Sequence, residues 1–213
     1  MKVGVIGSGD VAKTLAGGLI KHGHKVTVGT REPAKLAEWA AQNPGAHVDS
    51  SAVAAEFGEL IVLAVKGKAA VEALRLAGKK NLTGKTVMDA CNPIEDAPPD
   101  HGVLKFFTNY NSSLMEQLQR EFPEAHFVKA FNSVGSVRMV NPQFEGGKPT
   151  MFICGNDLAA KKQVSRIAEE LGWEAADMGT AEAARAIEPL CMLWCIPGFL
   201  RNEWTHAFKL LLK

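Results

Sequence analysis

A glycine-rich segment between a short apolar strand and a helical pattern constrains the fold of this chain more than any other feature. After the apolar residues 2–6, the chain reads Gly7, Ser8, Gly9, Asp10, Val11 and Ala12. Gly7 permits a tight turn, Gly9 lets the backbone approach a ligand, and Ala12 lets the helix pack closely on the strand. A helix N-terminus also binds anions. The segment predicts a pyrophosphate-binding turn, against the alternative of an ordinary turn without a ligand.

The end of the second predicted strand, residues 25–28, indicates which dinucleotide binds. An NAD site usually carries Asp or Glu there to bind the ribose hydroxyls, whereas this chain has Thr30-Arg31. A guanidinium and a hydroxyl suit a 2′-phosphate, which Arg binds with two charged hydrogen bonds. The alternative is that Arg31 is solvated and Glu32 binds the ribose. We expect NADP(H) rather than NAD(H).

Strands and helices alternate along the whole chain, and the apolar run 60–65 is typical of a parallel strand covered on both faces. Asp157 is expected to cap a helix that ends before Gly172, and Thr180 to cap another. The alternation predicts an α/β, Rossmann-type, doubly wound and mostly parallel sheet with a small C-terminal α/β-helical extension. Residues 1–145 would form the NADP-binding Rossmann domain and 146–213 the extension that completes the acceptor pocket, unless the two are one continuous domain. We predict eight strands over residues 2–6, 25–28, 47–49, 60–65, 86–91, 126–131, 150–154 and 173–178.

Composition limits the kinds of partner. The 213 residues are 46% hydrophobic and 22% charged, as in soluble globular proteins, and the net charge of +1 argues against nucleic acid. No apolar run reaches the ~20 residues of a membrane span. The longest, residues 190–200, is expected to be broken by Pro197-Gly198. The strand at the N-terminus argues against a signal peptide.

Cysteine and histidine patterns indicate neither disulfides nor a metal site. The four cysteines contain no Cys-x-x-Cys pair and are expected to be reduced thiols in a cytoplasmic protein. His22 and His24 have no acidic or cysteine partner nearby, so we expect no metal.

Ligands of open parallel sheets bind beyond the carboxyl ends of the strands, and this rule selects further pocket residues. We predict that the cofactor also contacts Ala64, Val65, Lys66, Asn92, Pro93, Ala130 and Asn132. Lys66 and Asn132 are the catalytic candidates, as donors to a carbonyl or flavin oxygen. Surface charge and turn capping explain these two residues equally well. A Tyr-x-x-x-Lys pair is absent, because Leu114 lies four positions after the only tyrosine, Tyr110.

Several motifs in collinear order resemble a known family. They are Gly7-Ser8-Gly9-Asp10, Val28-Gly29-Thr30-Arg31, Val128-Lys129-Ala130-Phe131-Asn132, Ile153-Cys154-Gly155 and Asp177-Met178-Gly179. Together they resemble the coenzyme F420-dependent NADP oxidoreductases and, more closely, the soluble NADPH-binding domain of the STEAP metalloreductases. The resemblance implies hydride exchange between NADPH and a flavin-like ring. It also implies that Thr30, Arg31 and Lys35 bind the 2′-phosphate and that Val65 and Lys66 lie near the nicotinamide ribose.

Two departures from these families matter. Where the archaeal deazaflavin enzymes have a histidine near the hydride-transfer site, this chain has Asn132. The STEAP domains also have an asparagine there. The STEAP proteins continue into a membrane domain, whereas this chain ends at Lys213, so we expect no electron path across a bilayer within it.

Three hypotheses of function follow. The first is an NADPH-dependent oxidoreductase that reduces a flavin, a deazaflavin or another small acceptor. The second is direct reduction of a small carbonyl or imine with Lys66 as proton donor, and the third is a non-catalytic NADPH sensor. The aromatic-rich residues 189–208 are expected to form a helix that covers the sheet or, alternatively, a homodimer interface.

Overall fold

A single eight-stranded sheet organises the protein. The computed structural model describes residues 1–211, and the sheet order is β3-β2-β1-β4-β5-β6-β7-β8. All neighbours from β3 to β6 are parallel, β7 runs antiparallel to β6, and β8 is parallel to β7. This confirms the predicted Rossmann-type fold. The strands are β1 (Lys2–Ile6), β2 (Lys25–Gly29), β3 (Ala46–Asp49), β4 (Leu60–Leu63), β5 (Thr86–Asp89), β6 (His126–Lys129), β7 (Thr150–Gly155) and β8 (Glu174–Asp177).

Nine α-helices and four short 3-10 turns connect these strands within the described residues. The 3-10 turns are Pro33–Leu36, Gly67–Ala69, Ser136–Arg138 and Ala181–Ala183. The helices are α1 (Asp10–Lys21), α2 (Ala37–Gln42), α3 (Ser51–Phe57), α4 (Ala70–Ala77), α5 (Lys79–Leu82), α6 (Leu114–Glu121), α7 (Leu158–Glu170), α8 (Ala184–Ile187) and α9 (Leu190–Arg201).

The sheet has one hydrophobic core on each face, as a doubly wound fold requires. Leu15 of α1 and Val164 of α7 belong to the first core, and Ala55, Leu74 and Leu118 of α3, α4 and α6 belong to the second. Because β7 and β8 continue the same sheet, residues on both sides of position 145 share these cores. The predicted division into two domains stays a prediction.

The middle strands end two residues earlier than their apolar runs predict. Just after each of β4, β5 and β6, one further backbone N–H donates a hydrogen bond to a carbonyl of the neighbouring strand. The pairs are Ala64 with Ile6, Ala90 with Leu63, and Ala130 with Asp89. The chain then turns away but stays covered. The hydrophobic pattern therefore outlasts the hydrogen-bond ladder, because burial and strand pairing end at different residues.

Some predicted helix details hold, and one does not. Asp157 accepts a hydrogen bond from the N–H of Ala160, and Gly172 follows α7 at a φ of 93°, so both predicted ends are confirmed. Thr180 precedes a 3-10 turn, but its hydroxyl donates to Glu182 instead of accepting a capping bond.

The C-terminal segment differs from its predicted form. α9 contains Pro197 and runs unbroken to Arg201, so the expected break was wrong, although the missing proline N–H weakens the helix there. The helix ends at Arg201, and the φ of 58° at Asn202 then turns the backbone. The following segment is not helical, which corrects the prediction for Trp204 and Phe208. Instead, the carbonyl of Phe208 accepts a hydrogen bond from Thr150 at the start of β7.

By length and composition alone, one continuous helical stretch, Ala181–Arg201, is apolar enough to cross a membrane, and a third of its tested window is buried. Buried core helices of soluble proteins share these properties. Within α9, Trp194 is buried, whereas Leu193, Phe199 and Leu200 remain exposed. The predicted absence of a membrane partner and the predicted homodimer both stay predictions.

Candidate functional site

A cavity of about 650 Å³ opens at the carboxyl ends of the central strands, a size typical of small-ligand sites. The structure brings eleven of the predicted site residues to its wall. These are Gly7, Ser8, Gly9, Asp10, Val11, Thr30, Arg31, Ala64, Val65, Lys66 and Asn92. Five others lie outside the lining, namely Ala12, Lys35, Pro93, Ala130 and Asn132.

The two glycines of the turn have different surroundings. Gly7 has a φ of 137°, and a Cβ there would collide with the carbonyl oxygen of Ala64. A Cβ at Gly9 would meet nothing within 4 Å, because it would project into open space. α1 begins at the next residue, so its first N–H groups have no intrahelical acceptor. The turn thus offers an anion a close approach to unpaired backbone donors. Further along α1, Gly18 packs on the side chain of Val140.

The residues after β2 separate into two groups. Arg31 and Thr30 line the cavity, and no carboxylate oxygen of residues 1–211 lies within 4.0 Å of the Arg31 guanidinium. Glu32 and Lys35 lie outside the lining and pair with each other at 2.9 Å. The hydrogen bond from Lys35 lowers the pKa of Glu32. The cavity therefore has a cationic rather than an acidic group at this position.

At the other end of the cavity, two asparagines hold each other in place. Asn92 Nδ2 donates to the Asn132 carbonyl at 2.7 Å, and Asn132 Nδ2 donates to Asn92 Oδ1 at 3.2 Å. Asn132 Nδ2 also donates to the carbonyl of Ile187, the last residue of α8, at 2.9 Å. The buried Oδ1 of Asn132 has no partner within the described part of the chain. Asn132 thus fixes the orientation of Asn92, and any catalytic role stays a prediction.

Phe131, between β6 and Asn132, is a feature that sequence reasoning missed. Its φ of 59° is rare for a bulky residue, and such strain costs of order 1–3 kcal/mol and clusters at functional sites. The side chain is buried against the ring of Trp173, edge to face at 6.1 Å. This packing holds the backbone turn that directs Asn132 towards Asn92. No local sequence signal indicates it.

A buried ion cluster beneath the asparagines was also missed. Lys129 Nζ lies 2.6 Å from Asp89 Oδ2, 2.9 Å from Glu188 Oε1 and 2.8 Å from the carbonyl of Cys91. Burial opposes the charge of Lys129, but Asp89 and Glu188 outweigh it, so the pKa of Lys129 lies above its usual value. Charged residues inside the apolar strands β5 and β6 were a signal for two of these three side chains.

Glu188 also joins the cluster to helix α6. Its two carboxylate oxygens accept the backbone N–H groups of Leu114 and Met115, at 2.9 and 3.0 Å. These are the first two residues of α6, whose N-terminal end carries partial positive charge. One carboxylate therefore connects the segment between α8 and α9, a helix on the sheet and the lysine of β6.

The thiols near this cluster are not poised for reaction. Burial raises the pKa of Cys91, and burial likewise raises the pKa of Cys154 to about 12. Both are neutral at physiological pH. Among residues 1–211, no group of three His, Cys, Asp or Glu side chains is placed to hold a metal ion.

Comparison with known proteins identifies the family. Residues 2–93 match the family described as NADP oxidoreductase, coenzyme F420-dependent. The chain is 36% identical to the solved structure of a candidate F420-dependent NADP-reductase from Arthrobacter sp. FB24, with full coverage of both chains and a TM-score of 0.93.

Two further relatives extend the comparison. Metalloreductase STEAP3 from Rattus norvegicus is 33% identical over 203 residues, which are 93% of this chain but 39% of that protein. The chain thus spans about two fifths or less of the curated relatives it matches. A reductive aminase from Aspergillus terreus, solved with NADPH and ethyl levulinate, is 20% identical, with 94% of this chain and 62% of that chain covered and a TM-score of 0.67. That likeness shows the fold alone. On its full-length match, this chain belongs to the coenzyme F420-dependent NADP oxidoreductase family.

Proposed function

We propose that the chain binds NADP(H) along this cavity and exchanges a hydride between NADPH and a flavin, a deazaflavin or a similar small acceptor. The pyrophosphate would lie on the turn at Gly7 and Gly9, where open space and free N–H groups await an anion. Thr30 and Arg31 would hold the 2′-phosphate. The observation that carries the proposal is that Arg31 lines the cavity without an ionic partner in the described residues, while Glu32 is bound to Lys35.

The other end of the cavity supports a reaction between two rings. Val65, Ala90 and Ile94 supply apolar wall there, and Asn92 is a fixed polar group beside them. Hydride transfer between nicotinamide and a flavin-like ring requires orientation and exclusion of water more than acid–base groups. Of the charged side chains in the cavity wall, Lys68 and Asp96 are paired with each other at 3.4 Å. The chain's own contribution would be to hold the nicotinamide face open to the acceptor.

A small carbonyl or imine is the second candidate acceptor, and Lys66 favours it. This lysine lines the cavity and forms no ion pair with residues 1–211, so its ammonium is available as a proton donor. Hydride addition to a carbonyl carbon or imine carbon leaves a negative oxygen or nitrogen that must take up a proton. A flavin acceptor makes a smaller demand on such a donor.

The cofactor is tested by comparing the KM for NADPH and for NADH. In Arg31→Ala we expect the KM for NADPH to rise roughly 10- to 100-fold with little change for NADH, because a charged hydrogen-bonded pair to phosphate is lost. Arg120→Ala is the matched control, since Arg120 is exposed and lies outside the cavity. Equal effects on both dinucleotides would contradict the assignment of Arg31 to the 2′-phosphate.

The acceptor is tested by following NADPH oxidation with FMN, FAD, coenzyme F420, and a panel of carbonyls and imines. Turnover with a flavin-like ring that survives Lys66→Met would support the first candidate. Turnover limited to carbonyls or imines and lost in Lys66→Met would support the second. Tight NADPH binding without turnover on any acceptor would contradict both and favour a binding module.

A further inference from the structure

The backbone on either side of Cys91 is held by the buried ion pair of Lys129 and Asp89. Lys129 Nζ donates to the carbonyl of Cys91 at 2.8 Å, and the N–H of Cys91 donates to Asp89 Oδ1 at 2.9 Å. The next residue, Asn92, lies in the wall of the cavity. A Cβ at Gly67 would collide with the carbonyl of Asn92, so this backbone also packs closely on the turn after β4. The ion pair therefore holds the backbone from which the Asn92 side chain projects.

The side chain of Asn92 is held from another direction, by the end of α8. It is bonded to Asn132, whose Nδ2 also donates to the carbonyl of Ile187. Glu188 follows Ile187 in the chain, and its Oε1 lies 2.9 Å from Lys129 Nζ. These contacts close into a polar circuit that returns to its starting point. Its members are Lys129, Cys91, Asn92, Asn132, Ile187 and Glu188.

Asn92 is the member of this circuit that lines the cavity. Lys129, Asn132 and Glu188 lie outside the lining, and Lys129 is fully buried. The two bonds with Asn132 leave the Asn92 amide with one N–H and one oxygen lone pair to offer to a ligand. Rotation of this amide by half a turn would bring its oxygen against the carbonyl of Asn132, where two acceptors repel. The circuit thus fixes which polar atom of Asn92 a ligand meets.

We propose that Lys129 is a positioning residue, which sets the orientation of Asn92 towards the reacting ring through the carbonyl of Cys91 and through Glu188. The inference rests on the proposed function, because it assumes that a reacting ring lies beside Asn92. Lys129 itself does not touch that ring. Its loss would open the circuit at two places, and the Asn92 amide could then turn. The segment that carries Glu188 thereby takes part in the site without lining it.

The first readout is the exchange of the Asn92 side-chain amide with water, measured by NMR on the full chain. We expect this exchange to be roughly tenfold faster in Lys129→Met than in the wild type, because the bond to Asn132 opens more often. The amide of Asn81, which donates to the carbonyl of Ala77 at 2.8 Å outside the circuit, should keep its rate. A general loosening of the fold would instead speed the exchange of both amides.

The second readout is a double-mutant cycle on NADPH oxidation with the acceptor that the wild type uses best. We expect Lys129→Met to lower kcat roughly tenfold with little change in the KM for NADPH, and to have no further effect in an Asn92→Ala background. Unrelated structural damage would lower kcat by the same factor in both backgrounds. Lys161→Met is the control, because it breaks an ion pair outside the circuit and should leave kcat unchanged in each background.

Unchanged exchange at Asn92, or equal losses of kcat in the two backgrounds, would overturn the inference. Should Lys129→Met fail to fold, Glu188→Gln carries both readouts, because it removes the ionic contact between Glu188 and Lys129 at the same side-chain length. A wild type that oxidises NADPH with no acceptor would overturn the proposed function instead. The exchange at Asn92 would then decide by itself whether Lys129 positions this side chain.

Discussion

Replacing Lys129 by methionine tests the account of the buried ion cluster. Methionine is of similar length but removes the charge between two fully buried carboxylates, those of Asp89 and Glu188. Breaking such a buried pair typically costs 3–5 kcal/mol, since the remaining charge lacks its partner. In the variant, Asp89 would still accept a hydrogen bond from the N–H of Cys91, and Glu188 would still accept two from the start of α6. Neither carboxylate would therefore be without a hydrogen-bond donor. We expect a loss of about 4 kcal/mol, or roughly 10 °C in Tm for a chain of this size.

The assay is urea unfolding followed by circular dichroism, with Lys161→Met as the matched control. Lys161 pairs with Asp177 at 2.8 Å, but Asp177 is half-exposed. The loss of this ion pair should therefore cost no more than about 1 kcal/mol. The loss in Lys129→Met should be smaller at pH 5 than at pH 8. The reason is that orphaned buried carboxyls have raised pKa values, and stability then falls as pH rises. A loss equal to that of the control, or one independent of pH, would refute the reasoning.

Two other perturbations follow from the structure. Gly7→Ala should destabilise the fold by about 3 kcal/mol, because the added Cβ would collide with backbone atoms at a residue of positive φ. Gly9→Val should instead leave Tm unchanged and weaken NADPH binding, because the added side chain projects into open space. Calorimetry of both variants would show whether the two glycines differ in this way. The hydrogen bond from Arg185 lowers the pKa of Glu116 against the effect of burial, so its stabilisation is present above about pH 4.3 and is lost as pH falls. Glu116→Gln should flatten urea-measured stability between pH 5 and pH 3, and an unchanged slope would argue against this ion pair.

The turn at Gly7 and the choice of Arg31 were predictable because the information is local. A few consecutive residues determine both the backbone geometry and the position of the charge at a strand end. The same holds for Lys66 and Asn92, which follow predicted strands and line the cavity. Sheet order then brings these separate loops together, and a parallel alternating pattern fixes that order within few alternatives.

Other parts depend on contacts between residues far apart in the sequence. Nothing near Glu188 indicates that it meets Lys129, and nothing near Asn132 indicates that its side chain bonds Asn92 and lies outside the cavity lining. Lys35 lies one turn after Arg31 in the chain, yet its ammonium reaches Glu32. The end of α9 was missed because hydrophobic content continues past Asn202, where only the backbone conformation changes.

The position of Glu188 in the chain affects how the protein is made. During synthesis, all eight strands leave the ribosome before residue 188 does. Until then, Lys129 and Asp89 face each other without their third member, and the first N–H groups of α6 have no acceptor. A nascent chain could thus form the sheet before Glu188 binds Lys129 and the start of α6. The formation of these contacts would be a late event of folding. Chaperones and proteases would act on this less stable state chiefly before Glu188 has bound.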